Sequence, residues 1–298
     1  MRRVTTVVML VCAATVVMTG LATAKGPHKC SGNVTAPGVL ASGTYKSGVV
    51  VQGVCFVNAG PVKVIGLLKV TDGSALVAQF AHNNSSLTVK GDLLVQHRGA
   101  AFLGCGTPEV KCIDDPTLTS KDRVTGNLTA SAPLGLLVHL VTILGNVTET
   151  GGGGGFSCVP PTTGPFALAM APVYSDIEDS TVKGNVSITG LRTCWLGLAR
   201  VHIKGNVTLK NNKLGDDDGI EVIGNTIAKN LVCRSNGHPS PMMPGTQPVW
   251  DSHEAVPMSP NIYPRIADPD TVKGQRVGQC NRSTPTTLGG AFGKKKSF

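Results

Sequence analysis

Gly215-Asp216-Asp217-Asp218-Gly219 is the one uninterrupted run of three carboxylates in the chain. Adjacent carboxyl groups can do general acid–base work, one protonating a leaving oxygen while its neighbour activates water, as in glycoside hydrolysis. Gly237-His238 follows about one repeat length later, and Arg265 lies beyond it. Two quieter roles compete: Asp216, Asp217 and Asp218 cap a turn after Lys213-Leu214, or Asp216 and Asp218 hold a hard cation through oxygen. A working catalytic trio would keep one carboxyl with a raised pKa. The turn is the expected role; Asp216, Asp217, Asp218 and His238 remain the catalytic candidates, Asp216 and Asp218 the metal candidates, and no cofactor is implied.

What must position these residues is a repeat. Val182-Lys183-Gly184-Asn185-Val186 and Ile203-Lys204-Gly205-Asn206-Val207 are the same phrase written 21 residues apart. Val89-Lys90-Gly91-Asp92-Leu93, Val124-Thr125-Gly126-Asn127-Leu128, Ile143-Leu144-Gly145-Asn146-Val147 and Val222-Ile223-Gly224-Asn225-Thr226 fit it as well. Ile227-Ala228-Lys229-Asn230-Leu231 and Val272-Lys273-Gly274-Gln275-Arg276 are weaker copies. Most spacings are one unit of about 20 residues, a solenoid period. The 39 residues from Gly145 to Gly184 read as two units with a marker missing, and the 35 from Gly91 to Gly126 as one unit with an excursion.

Val, Thr and Ile branch at Cβ and suit pleated strands. Alternation such as Val201-His202-Ile203 turns every second side chain inward. Gly91, Gly126, Gly145, Gly184, Gly205 and Gly224 mark the corners, glycine being tolerant of positive φ, with Asn127, Asn146, Asn185, Asn206 and Asn225 beside them. The expected fold is all-β: a single-domain, right-handed parallel β-helix of about 20 residues per coil, with roughly ten coils over residues 39–232. Corner asparagines would hydrogen-bond along the axis. Residues 25–38 read as a polar lead-in, residues 151–155 as a flexible glycine run, and the proline-crowded 237–269 as a loop insert, because proline cannot donate to a ladder.

The Asn-x-Ser/Thr triplets that fall at the repeat's corners, at Asn127, Asn146, Asn185 and Asn206, read as products of the repeat, not as glycan acceptors. Residues 1–24 read as a secretory signal: Met1-Arg2-Arg3, an apolar stretch, then Ala22-Thr23-Ala24. Removing them leaves 25 Lys and Arg against 18 Asp and Glu, net +7, and no transmembrane segment. Eight cysteines remain: Cys30, Cys55, Cys105, Cys112, Cys158, Cys194, Cys233 and Cys280. An even number in an exported chain implies disulfides, although eight cysteines allow about 105 connectivities. A solenoid brings only neighbouring coils together, which favours sequential pairing. Cys-x-x-Cys is absent and no histidines stand at ligand spacing, so a zinc framework is disfavoured. Lys294-Lys295-Lys296 belongs to a basic tail, 281–298, and no nucleic-acid motif accompanies it.

Gly43-Thr44-Tyr45 with Val49-Val50-Val51 and Cys55, the Gly-Asn-Val corners, Asn230-Leu231-Val232-Cys233 and Gly278-Gln279-Cys280 together resemble a family of secreted actinobacterial β-helix proteins of unknown function. The resemblance implies export, a β-helix and a Cys233–Cys280 disulfide, and no catalytic residues. Lys229, where glycine is usual, and the proline-rich insert depart from it. Gly-Asp-Asp followed by Gly-His is also partly similar to polygalacturonases, but their Asn-Thr-Asp motif is missing, a proline follows His238, and Arg265-Ile266 lacks its lysine. The expectation is therefore an exported non-enzymatic scaffold or surface binder at the cell envelope, touching extracellular polysaccharide or another copy of itself and no nucleic acid. The alternative is a carbohydrate-active β-helix enzyme using Asp216, Asp217 and Asp218.

Overall fold

The computed structural model describes residues 26–107, 110–215, 220–237, 249–251, 253–255, 265–267 and 270–281. Asp216, Asp217, Asp218, His238, residues 1–24 and the Lys294-Lys295-Lys296 tail lie outside them. The chain winds into a parallel β-solenoid whose strands join in one 25-stranded sheet wrapped around a common axis.

Three faces repeat. The first begins with His28–Gly32 against the start of Val49–Ile65. It then stacks Leu68–Val70, Leu93–Val95, Leu128–Ser131, Val147–Thr150, Val186–Thr189, Val207–Lys210, Leu231–Arg234 and Arg276–Gly278. The second runs through Ala75–Ala78, Ala100–Leu103, Gly135–His139, Ser175–Glu178, Leu196–Ala199, Ile220–Ile223 and Val249–Asp251. The third stacks Ser86–Lys90, Arg123–Val124, Thr142–Ile143, Thr181–Val182, His202–Ile203, Thr226–Ile227 and Thr271–Val272. Inward Val, Leu and Ile from all three faces form one continuous core, including Val182, Val186, Ile188, Leu196 and Leu198. Burial of that apolar area is the main stabilising term.

Each turn of the solenoid is one coil, but not of constant length. Successive members of the corner row, from Asp92 through Asn127, Asn146, Asn185 and Asn206 to Asn230, are 35, 19, 39, 21 and 24 residues apart. The 39-residue interval is one coil carrying an excursion, not two coils: the Gly184 amide bonds directly to the Gly145 carbonyl at 3.0 Å. Consequently fewer rungs fall within 39–232 than the expected ten, and the polar lead-in supplies the first rung, His28–Gly32. The glycine run is also less loose than its composition suggests. Gly151, Gly153 and Gly155 donate to Thr189, Pro133 and Arg192 carbonyls, binding the start of the excursion to the coils. The proline-rich insert contributes a second-face rung, Val249–Asp251, and an antiparallel pair, His253–Ala255 with Arg265–Ala267. Both segments are free of proline, which is what lets them donate.

The glycines need a corrected physical reason. Gly126, Gly145, Gly184 and Gly205 do not have positive φ. They are glycines because coils approach too closely there: a Cβ on Gly184 would stand 2.5 Å from both the Gly145 carbonyl oxygen and Asn146 Oδ1. Positive φ belongs to the two other corners: after the first face at Arg98, Ala132, Gly151, Gly190, Asn211 and Ser235, and after the second at Gly104, Leu140, Asp179, Arg200 and Gly224. Gly224 and Asn225 therefore do not join the Gly-Asn corner. Lys229 and Asn230 take that place instead, and Asn225 is buried at the corner after the second face, accepting from the Val201 amide at 2.9 Å.

At the true Gly-Asn corner each Asn amide oxygen accepts the backbone N–H of the next coil's Asn. The row runs Asp92, Asn127, Asn146, Asn185, Asn206, Asn230, Gln275, at 2.7, 2.9, 2.8, 2.8, 3.2 and 2.8 Å. The longest step is at Asn230, where Lys229 puts a Cβ into the glycine slot. Side-chain Nδ2 groups of Asn127, Asn146, Asn185 and Asn206 donate along the same row, so the amides a glycosyl transfer would need are already engaged.

Four disulfides form, all sequential: Cys30–Cys55, Cys105–Cys112, Cys158–Cys194 and Cys233–Cys280. The first and last pin the terminal coils, where a solenoid otherwise exposes strand edges. Cys158–Cys194 ties the excursion of residues 151–174 down. That excursion carries Phe166 onto Phe102, ring centroids 5.0 Å apart, building a second apolar core on the outer side of the second face.

Candidate functional site

Past that apolar patch the outer side of the second face changes character. Strand alternation sends Leu136 and Val138 into the core and His139 outward. One coil on it sends Ile177 inward and Asp176 and Glu178 outward, and two coils further Glu221 does the same. The following corner positions, Asp179 and Arg200, stack on adjacent coils with φ of 48° and 55°. Here Arg200 Nε donates to Asp179 Oδ1 at 2.7 Å and Nη2 to Oδ2 at 2.9 Å, while Nη2 also stands 3.5 Å from Glu178 Oε2. The His139 ring faces the same group, its Nδ1 3.4 Å from Asp179 Oδ2 and 3.9 Å from Glu178 Oε2. His139 is buried, and neither ring nitrogen has a hydrogen-bond partner. The Gly106 backbone lies beside it and favours its charged form, without reaching hydrogen-bond geometry.

Burial sets the protonation states. It raises the Asp176 carboxyl well above its usual range, and the charges of Glu178 and Glu221 push the same way, against Arg200. His139 is lowered by burial and by Arg200, against the pull of Asp179. Tyr174 is raised by burial and by Asp176 and Glu178. Gly197 keeps the space between Asp176 and Trp195, since a Cβ there would meet both side chains. The arrangement can hold a shared proton between carboxyl groups, or a cation.

The opposite side of the solenoid is chemically distinct. Outward positions of the first face form two hydroxyl columns, Thr129, Thr148, Ser187, Thr208 and Ser131, Thr150, Thr189, ending in Lys210 and Arg234. The third face adds Thr88, Arg123, Thr142, Thr181, His202, Thr226 and Thr271. Lys90, Lys183, Lys204 and Lys273 line the edge of the Asn row, exposed. Among the described residues the one carboxylate on this surface is Asp92, and no carboxylate pairs with these lysines.

The residues singled out from the sequence are thus divided. The ladder corners and all eight cysteines come together as expected, Gly224 and Asn225 elsewhere. Asp216, Asp217, Asp218 and His238 lie outside the described residues, and Arg265 is described only as part of a strand. His139, Asp176, Glu178, Asp179, Arg200 and Glu221 were missed. A signal for them existed: His139 and Glu178 each stand six residues before a ladder glycine, Gly145 and Gly184, so superposing the repeats would have stacked them. Among the described residues no helix is long and apolar enough to cross a membrane. No protein-family model, curated protein or solved structure matches the chain.

Proposed function

We propose that this is an exported, non-enzymatic β-solenoid that binds an anionic extracellular polysaccharide along the ridge formed by the Asn row and its flanking Thr columns. The supporting observation is the segregation of charge: hydroxyls stack coil on coil about 4.8 Å apart, Lys90, Lys183, Lys204 and Lys273 take four of the seven stacked positions beside the Asn row, and Asp92 is the one acid on this surface among the described residues. A cationic surface attracts a polyanion, and stacked hydroxyls offer donors and acceptors to sugar hydroxyls. Disulfides fit an oxidising compartment.

Affinity electrophoresis in polygalacturonate, with dextran as neutral control, tests this. Retardation is expected in the acidic gel only, weakening as salt rises through the screening range. Lys183→Gln/Lys204→Gln/Lys273→Gln should lower affinity roughly tenfold or more at low salt. Equal retardation in dextran, or none in polygalacturonate, overturns the reading. A second reading, carbohydrate cleavage, draws on Asp176, whose proton is held beside Glu178 as a general acid's would be. Reducing-end release that vanishes in Asp176→Asn would replace the binding reading with this one.

A further inference from the structure

We propose that His139, Glu178 and Asp179 form a binding site for a divalent transition ion of the zinc class, with Arg200 holding Asp179 in place from outside. Ligand atoms on a tetrahedral zinc with bonds of about 2.0–2.1 Å stand about 3.3 Å apart. His139 Nδ1 is 3.4 Å from Asp179 Oδ2 and 3.9 Å from Glu178 Oε2. One ligand atom from each of the three residues lies within 4.8 Å of the others. Small side-chain movements would close the set, leaving the fourth position to water.

The second observation is the histidine itself. A buried imidazole normally has a partner for each ring nitrogen. His139 has a side chain 3% exposed, no partner on either nitrogen, and Nδ1 turned toward two carboxylates. Imidazole with two carboxylate oxygens selects zinc, cobalt or nickel over calcium or magnesium, which take oxygen alone. Access exists from the solvent side, where the Asp179 and Arg200 side chains are 25% and 24% exposed.

Asp179 and Arg200 occupy positive-φ corner positions that other coils fill with Gly104, Leu140 and Gly224. Arg200 bonds Asp179 through Nε to Oδ1, which leaves Oδ2 to be shared between the guanidinium and an ion. A carboxylate ligand oriented by an outer hydrogen-bond partner is a usual feature of metal sites. The positive charge of Arg200 keeps affinity below that of a dedicated structural zinc site.

The test is a titration of the purified full chain with Co²⁺, read by its visible d–d absorption, followed by displacement with Zn²⁺. One equivalent per chain is expected, unaffected by millimolar Ca²⁺ or Mg²⁺. Affinity should fall at least tenfold in His139→Gln and in Asp179→Asn, and be unchanged in His97→Gln, which removes an exposed histidine paired with Asp72. Far-UV circular dichroism checks folding, and Glu178→Gln replaces any variant that does not fold. No absorption band in the unaltered protein, or a band that survives in folded His139→Gln or Glu178→Gln, overturns the proposal.

Discussion

Glu149 is the residue most at odds with its position. It points into the solenoid core from the first face, fully buried, with Ser175 Oγ donating to Oε1 at 2.7 Å and Oε2 without a partner. Burial raises its pKa to about 7, the Ser175 bond pulling weakly the other way. The folded-state pKa therefore lies above the unfolded one. Its contribution to stability is complete below the unfolded value, about 4.5, and is lost as pH rises through about 7. Buried Asp122, also raised to about 7, adds with the same sign, although the Leu87 and Gly104 amides favour its charged form. Thermal melts should show lower stability at pH 8 than at pH 5, with Glu149 alone accounting for about 3 kcal/mol. Glu149→Gln should remove that share of the pH dependence. A melting temperature that rises toward pH 8 would contradict this account.

Elements here are rungs and corners, and two kinds of asparagine hold them. Asn185 belongs to the exposed row, where water can replace its bonds. Asn212 is fully buried at the corner after the first face, accepting from the Leu191 amide and donating to the Ile188 carbonyl, both at 3.0 Å. Removing a buried partner strands a backbone group, whereas removing an exposed one does not. Asn185→Ala should cost about 1 kcal/mol and Asn212→Leu about 3 kcal/mol, read from denaturation midpoints. The same contrast explains what was legible. Gly184-Asn185 repeats in the open because coil contact forbids a Cβ and the row demands an amide. The two other corners accept Arg98, Ala132, Leu140 or Asn211 in the left-handed region, so no residue type announces them. Gly224-Asn225 matched the phrase while serving a corner that does need positive φ. Likewise, the His139 cluster spans coils 39 residues apart in sequence, and a run such as Asp216-Asp217-Asp218 is more conspicuous than residues that meet only through winding.

At the scale of the whole molecule, a solenoid is stabilised coil by coil and fails from its ends. Cys30–Cys55 and Cys233–Cys280 sit at those ends, and the spacing of the eight cysteines made this readable once a neighbour-only architecture was accepted. The distribution of charge was less readable, because Lys183, Lys204 and Glu178 are interleaved along the chain and separate only on folding. The Asn row adds one more property. All its amides point the same way, every oxygen toward the later coils, and the row begins at a carboxylate, Asp92. Aligned dipoles give the rod a positive and a negative end. A glycan chain also has a sense, running from reducing to non-reducing terminus. Such a chain laid on this surface would settle in one direction only, and a spin label on its reducing end should broaden resonances near one terminal coil and spare the other.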